Sequence, residues 1–244
     1  MGWLFFGSNK NGAKRPLSKH FNPMEQINDQ ITLRVNEIFY SIQGESLYAG
    51  CPCVFIRLSG CNLRCSYCDT RYAYHHGVEM GIVEILDLVG PYKSNLVEIT
   101  GGEPLIQSGT PPLIEHLLAA GYKVMIETNG TLDIRLADDR CIKVMDIKCP
   151  SSGEAEKNDL ENLQRLNTED QLKFVIGNRN DYEFAKEIKG LLNNEFPADH
   201  VLFSTVYGKM TPTHLAKWII EDRLQVRLQV QLHKILWPER DRGV

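Results

Sequence analysis

The sequence predicts an α/β protein, a partial and open parallel β/α barrel of about six to seven strands. Three observations predict it. From Leu33 onward, short β-rich runs alternate with helix-like segments. The runs are apolar almost throughout, as expected of parallel strands covered on both faces by helices. The chain has 244 residues, which suits one domain and is short for a full eight-fold barrel.

Residues 1–31 carry Gly2, Gly7, Gly12, Pro16 and Pro23 without a sustained period, and are read as a poorly ordered leader ahead of one domain over 32–244. Met24 stands just before the patterned region and is a candidate start. Strands are expected at 53–59, 96–100, 123–128, 143–147, 172–176, 201–206 and 226–232. Helices are expected at 83–89, 112–120, 159–166, 182–192 and 213–222. Pro111 and Pro112 suit a helix start, and Gly121 suits a helix stop.

Composition excludes several classes of function. The net charge of −4 leaves no cationic excess to grip a phosphate backbone, so nucleic acid is not an expected partner. No apolar run approaches the ~20 residues that span a bilayer. The Trp3-Leu4-Phe5-Phe6 patch is too short for a signal peptide, and its basic residues follow it. A cytoplasmic location is expected. Seven cysteines, three of them within eight residues, make a poor disulfide framework and a good metal or cluster site in a reducing compartment.

The unusual motifs fall just after strand candidates, at the edge where parallel α/β folds build their sites. Ser59-Gly60-Cys61 follows the first, Thr100-Gly101-Gly102-Glu103-Pro104 the second and Glu127-Thr128-Asn129-Gly130 the third, while Asp146-Ile147-Lys148 closes the fourth. Cys61, Cys65 and Cys68 form a Cys-x3-Cys-x2-Cys loop. Three thiolates on a 4Fe-4S cube leave one iron open, which is what a catalytic site needs. Structural zinc sites have overlapping spacings, with Cys53, His75 or His76 as a fourth ligand. A parallel α/β context and the Gly-Gly-Glu-Pro loop after the next strand favour the cluster.

These two motifs resemble the radical S-adenosylmethionine superfamily. Further strings narrow the resemblance: Gln43-Gly44-Glu45, Arg57-Leu58-Ser59-Gly60-Cys61-Asn62, Cys68-Asp69-Thr70, the segment from Asp146 to Gly153, and His233-Lys234-Ile235-Leu236-Trp237. Together, over about residues 33–244, they resemble the 7-carboxy-7-deazaguanine synthases of queuosine precursor synthesis. The resemblance implies conversion of 6-carboxy-5,6,7,8-tetrahydropterin to 7-carboxy-7-deazaguanine with loss of ammonia. It also implies a 4Fe-4S cluster, S-adenosylmethionine, a magnesium ion, a donor such as flavodoxin or ferredoxin, and a homodimer.

Roles follow residue by residue. Cys61, Cys65 and Cys68 are expected to hold the cluster. Tyr67, Cys68, Asp69, Gly102, Asp146, Ile147 and Lys148 are expected against S-adenosylmethionine, with Ser204 and Thr205 at its adenosyl part. Thr70 offers a hydroxyl to magnesium, a hard ion that seeks oxygen. Ile42, Gln43, Gly44 and Glu45 are expected to face the pterin, where a glutamine amide presents both donor and acceptor. Arg57 interrupts an apolar strand and so needs a partner, either the substrate carboxylate or a protein carboxylate. Thr100 and His233, each placed at a strand end, complete the substrate set. Trp237 is expected near the pocket or in the core, residues 154–157 as a solvated charged stretch, and Cys141 and Cys149 as packed thiols. The competing readings are a glycyl-radical activase, which needs a protein partner, and a non-catalytic iron–sulfur or zinc module.

Overall fold

The computed structural model describes residues 31–244. The leader expectation for residues 1–31 lies, apart from Ile31, outside the described residues. Nine strands form one sheet in the order β3-β1-β2-β4-β5-β6-β7-β8-β9. The strands β2 (Pro52–Leu58), β4 (Leu96–Gly101), β5 (Lys123–Thr128), β6 (Ile142–Ile147), β7 (Gln171–Ile176), β8 (Val201–Thr205) and β9 (Arg227–Leu228) run parallel. β1 (Thr32–Ile42) lies antiparallel to both β2 and β3 (Val78–Gly81). Seven parallel strands and two edge strands that remain apart make the expected open barrel.

Sequence reading passed over β1 and β3. β1 alternates polar and apolar residues and has a register shift between Val35 and Glu37, so it lacks the continuous apolar signature of the parallel strands. The last strand is shorter than expected. The helix foreseen at 159–166 is a 3-10 turn, Leu160–Gln164.

Four helices stand close to their expected places, because their ends carry stop and start chemistry: α1 (Ile82–Val89), α2 (Thr110–Ala119), α3 (Arg179–Lys189) and α4 (Pro212–Glu221). The short α5 (Leu232–Leu236) was not expected and begins at the residue where the last strand was expected to end. Asn178 caps α3 by accepting from the Asp181 N–H at 3.0 Å, and Gly121 ends α2 with a φ of +90°.

Strand alternation divides the molecule into an outside and an inside. Outward residues such as Val54, Ile56, Val97, Ile99, Val124 and Ile126 build one core with α1 and α2. Met145, Ile147, Leu172, Phe174 and Phe203 build a second beneath α3 and α4. Inward residues form a third, small cluster of Cys53, Phe55, Leu96, Met125, Ile142 and Val144 near the N-terminal ends of the strands. Further along the same inward rows the chemistry changes from apolar to charged: Arg57, Glu98, Glu127, Asp146 and Lys173. That change marks the site.

Candidate active site

A cavity of about 460 Å³ opens at the C-terminal ends of the parallel strands. One wall is the cysteine loop, whose Cys61, Cys65 and Cys68 are half-buried free thiols. Burial pushes the Cys61 thiol up and that of Cys65 to about 11, with nearby Lys148 opposing. A coordinated metal removes such protons outright.

The loop is pinned on three sides. The Glu103 N–H donates to the Gly60 carbonyl at 2.9 Å. The Arg64 N–H donates to Glu154 Oε1 at 2.7 Å, and the Ser66 N–H to the Ser152 carbonyl at 2.9 Å. Residues 154–157 were expected to be solvated, but Glu154 is buried because it accepts from this loop and pairs with Lys157 at 2.7 Å.

The Gly-Gly-Glu-Pro loop turns out to serve the protein's own close packing. A Cβ on Gly102 would stand 1.9 Å from the Gly60 oxygen and 2.7 Å from Cys61 Cβ. Gly101 has a φ of +141° and lies equally tight against Leu58. Glu103 is fully buried and points away from the cavity. Its carboxylate accepts from the Leu105 N–H at 3.0 Å, the Thr128 hydroxyl at 2.8 Å and the Asn129 N–H at 2.6 Å. Asn129 then donates to Asn62 Oδ1 at 2.9 Å. The motifs after β2, β4 and β5 are thus stitched into one rim.

Below the rim is a buried charge network. Lys173 lies 2.5 Å from Glu45, 2.7 Å from Glu127 and 4.0 Å from Asp146, which itself pairs with Lys148 at 2.9 Å. Burial alone would raise the Glu127 carboxyl, but Lys173 outweighs it and holds the group at about 2. Burial and the neighbouring Glu127 push Glu98 up to about 8, although Gln43 donates to it. Burial works to lower Lys148 and Lys173, yet their carboxylates keep both above the usual lysine range. Asp146 Oδ1 is buried with no hydrogen-bond partner among the described residues. An orphaned buried acceptor facing a cavity calls for a donor.

The expected substrate residues all line this cavity: Ile42, Gln43, Gly44, Glu45, Arg57, Thr100 and His233. Their partners refine the reading. Gln43 is turned toward Glu98 and the Glu45 N–H. Glu45 accepts from Gln229 at 3.0 Å and Gln231 at 2.9 Å besides Lys173. Arg57 pairs through Nε with Glu37 at 2.8 Å, which is the protein-carboxylate alternative. Its terminal nitrogens have no hydrogen-bond partner among the described residues. Thr100 donates to Glu127 at 3.3 Å. His233 sits on α5 rather than ending a strand, packed so closely on Gly44 that a Cβ there would meet Nδ1 at 2.2 Å. Burial lowers its pKa against the pull of Glu45, which favours the neutral ring.

Of the residues expected at S-adenosylmethionine, Tyr67, Cys68, Asp69, Gly102, Asp146, Lys148 and Thr205 line the cavity. Ile147 and Ser204 do not. Alternation turns Ile147 outward into the core beneath α3, and the Ser204 hydroxyl faces the Phe174 carbonyl at 3.4 Å. Thr70 lines the cavity too, its hydroxyl donating to Asp69 at 3.0 Å and making no cap bond to the turn that follows. Trp237 borders a shallower hollow with Tyr40 and Pro52.

Sequence reading missed Glu98, Glu127, Lys173 and Glu37. The signal for the first three was the one that singled out Arg57: a charge standing in an apolar strand run.

The donor set fits an iron–sulfur cluster. Among the described residues no three His, Cys, Asp or Glu side chains converge closely enough to chelate a single ion. Three thiols spread along one loop suit a group whose irons each take one sulfur. No helix among the described residues is long and apolar enough to cross a membrane.

Comparison with known proteins agrees with this geometry. The Radical SAM superfamily profile matches residues 55–145. The chain is 42% identical over 226 residues to a protein of Koribacter versatilis called 7-carboxy-7-deazaguanine synthase, covering 87% of this chain and 100% of that one. It is 42% identical over 224 residues to the protein of that name from Chlorobaculum tepidum, covering 89% and 100%. Among solved structures it is similar in fold to QueE from Escherichia coli, with a TM-score of 0.68 at 24% identity over 82% of this chain and 94% of that one.

Proposed function

The chain belongs to the 7-carboxy-7-deazaguanine synthase family, and from that membership we propose how its own residues divide the work. The enzyme is a radical S-adenosylmethionine lyase of queuosine biosynthesis that converts 6-carboxy-5,6,7,8-tetrahydropterin to 7-carboxy-7-deazaguanine with loss of ammonia. When bound, the cluster and S-adenosylmethionine supply one-electron chemistry that no side chain here offers. The observation that carries the assignment of roles is the cavity itself, with a three-thiol loop on one wall and buried charges below it.

Cys61, Cys65 and Cys68 hold the cluster. Tyr67, Asp69, Gly102, Lys148 and Thr205 shape the cofactor's bed. Asp146 Oδ1, buried and unpaired, accepts a hydrogen bond from the cofactor. Thr70 gives its hydroxyl to magnesium, with Asp69 beside it. At the pterin side, Arg57 offers the substrate carboxylate its terminal N–H groups while Glu37 fixes the fork through Nε. Gln43, held by Glu98, presents its edge to the ring. Glu98 retains its proton near neutral pH, since burial and Glu127 lift its pKa to about 8. Lys173 holds Glu127 as a carboxylate and pairs with Glu45, and both side chains can accept from pterin N–H groups. The reading extends to a reducing cytoplasm and a homodimer; the seven free cysteines support the first.

The test is anaerobic reconstitution followed by addition of S-adenosylmethionine, dithionite, magnesium and 6-carboxytetrahydropterin. Product detected by mass and lost on replacing any of the three cysteines supports this division of roles. Product that survives all three single Cys→Ala replacements sinks the cluster assignment.

A further inference from the structure

We propose that Tyr74 tunes the reduction potential of the cluster by donating a hydrogen bond from its phenol to the Cys68 sulfur. The inference rests on the cluster being held by Cys61, Cys65 and Cys68.

Each of the three thiols has a different electropositive neighbour. Cys61 Sγ accepts from the Leu63 N–H at 3.4 Å. Cys65 has the Lys148 ammonium nearby, itself tied to Asp146 at 2.9 Å. Beside Cys68 the neighbour is the Tyr74 hydroxyl, within hydrogen-bonding reach of the sulfur. The first donor is backbone, and the second also serves Asp146. The third is a hydroxyl that has no oxygen or nitrogen acceptor among the described residues. Two other phenols on the same wall are already engaged: Tyr67 donates to the Val175 carbonyl at 3.4 Å and Tyr72 to Glu37 at 3.0 Å.

The chain brings Tyr74 back to the loop it has just left. The Gly60 N–H donates to the Ala73 carbonyl at 2.9 Å, and Ala73 is fully buried, so the 3-10 turn Arg71–Ala73 closes onto the start of the cysteine loop. The Arg64 guanidinium lies over the Tyr74 ring at 4.3 Å and is itself held by the Cys61 and Leu63 carbonyls at 2.8 Å and 2.6 Å. The half-buried ring is therefore fixed on the cavity wall. Packing under Arg64 needs only the ring; the hydroxyl is surplus to it. A cation on the ring face draws on the π-system and makes the O–H a stronger donor. A phenol, whose ordinary pKa is about 10, keeps its proton at pH 7.

The sign of the effect follows from charge. Reduction adds one negative charge to the cluster and its sulfurs. A donor aimed at a sulfur stabilises that reduced form more than the oxidised one, and burial strengthens the difference. Tyr74 thus raises the potential and makes the cluster easier to reduce. It acts through Cys68 and is a positioning residue, not a catalytic one.

The experiment is a potentiometric titration of the reconstituted holoenzyme, with the reduced cluster followed by electron paramagnetic resonance at pH 7. It compares wild type, Y74F, the control Y72F, and protein carrying a ring-fluorinated tyrosine at position 74, whose phenol donates more strongly. Iron content is measured for each. Y74F is expected to keep its iron and to lower the reduced-to-oxidised ratio at a fixed potential by about threefold to tenfold, the upper figure being about 59 mV for one electron. Y72F should leave the potential unchanged, and the fluorinated residue should raise it. A Y74F potential equal to wild type overturns the proposal. So does a Y72F shift as large as that of Y74F, which would make the effect one of general wall polarity. If Y74F loses iron, the fluorinated protein decides, since it keeps both ring and hydroxyl: an unchanged or lowered potential there overturns the proposal. Wild type that takes up no cluster with its three cysteines intact removes the cluster assignment itself, a result separate from any shift among the variants.

Discussion

Two lysines stand three positions from two aspartates on neighbouring stretches of the sheet, and their surroundings differ completely. Near the N-terminal end of β6, Lys143 is 2% exposed and lies 4.0 Å from Asp170. Asp170 also accepts the backbone N–H groups of Lys143 at 2.8 Å and Asn167 at 2.9 Å, and Lys143 Nζ reaches the Cys141 and Asp138 carbonyls. Lys143 and Asp170 each have several partners, and neither lines the cavity. On β7, Lys173 faces the cavity among Glu45, Glu127 and Asp146, one of whose oxygens has no partner. The same chemistry makes a closed brace at one end and a set of unmet demands at the other. What separates a structural ion pair from a binding site here is the surplus of carboxylate over lysine beside an open volume, not burial.

The upper end depends on tolerances the lower end lacks. Gly102→Ala is expected to have the largest effect, because its Cβ would fall 1.9 Å from the Gly60 oxygen and force the cysteine loop away. The variant should fold, retain little iron after reconstitution and show no turnover, as read by iron analysis and product mass. Normal iron content would show that the loop can yield. Lys173→Met comes next. Without that cation the carboxylates repel or take up protons, and turnover should fall about 100-fold at near-wild-type melting temperature. Lys143→Met should do the reverse: about 1–3 kcal/mol of stability lost in denaturant titration, with kcat kept in the folded fraction. The figure is modest because Asp170 retains two backbone donors. If Lys173→Met unfolds the protein and Lys143→Met abolishes turnover, the contrast between the two ends is wrong.

The smallest expected effect is a slope. The Glu98 carboxyl titrates near 8 when folded and near the ordinary glutamate value when unfolded. The native state therefore binds the extra proton, and Glu98 lowers stability as pH rises from about 5 to about 8. Glu127 acts with the opposite sign, its contribution being lost as pH falls from about 4.5 toward 2. Glu98→Gln should flatten the decline between about pH 5 and pH 8, measured by urea unfolding at each pH. An unchanged slope would place the proton elsewhere in the network.

How much of this was legible in the sequence depended on which signal each residue carried. The parallel strands were readable because two-sided burial writes itself as a short apolar run, as in Val124-Met125-Ile126 within Lys123–Thr128. β1 was not, since its one-sided alternation is interrupted by a bulge. The cysteines and the Gly-Gly-Glu-Pro loop announced themselves by spacing, but the reason for Gly102 lies in Gly60, which is distant in sequence. Arg57 was found as a charge in an apolar run; Glu98 and Lys173 carried the same mark and needed only the period-2 rule to be placed inside. That rule also turns Ile147 away from the cavity. Glu45 and its glutamine partners were illegible as a group, because nothing local in a chain reports a contact across 184 or 186 positions.

That last contact has a consequence in time. The turn after β1 is synthesised well before Gln229 and Gln231, so Glu45 waits through the intervening 184 or 186 positions for two of its partners. Long-range closure of this kind is slow and comes late in folding. The nascent protein can build the intervening helices and strands around an unfinished acidic hollow, which closes only when the segment carrying Gln229 and Gln231 returns to the turn after β1.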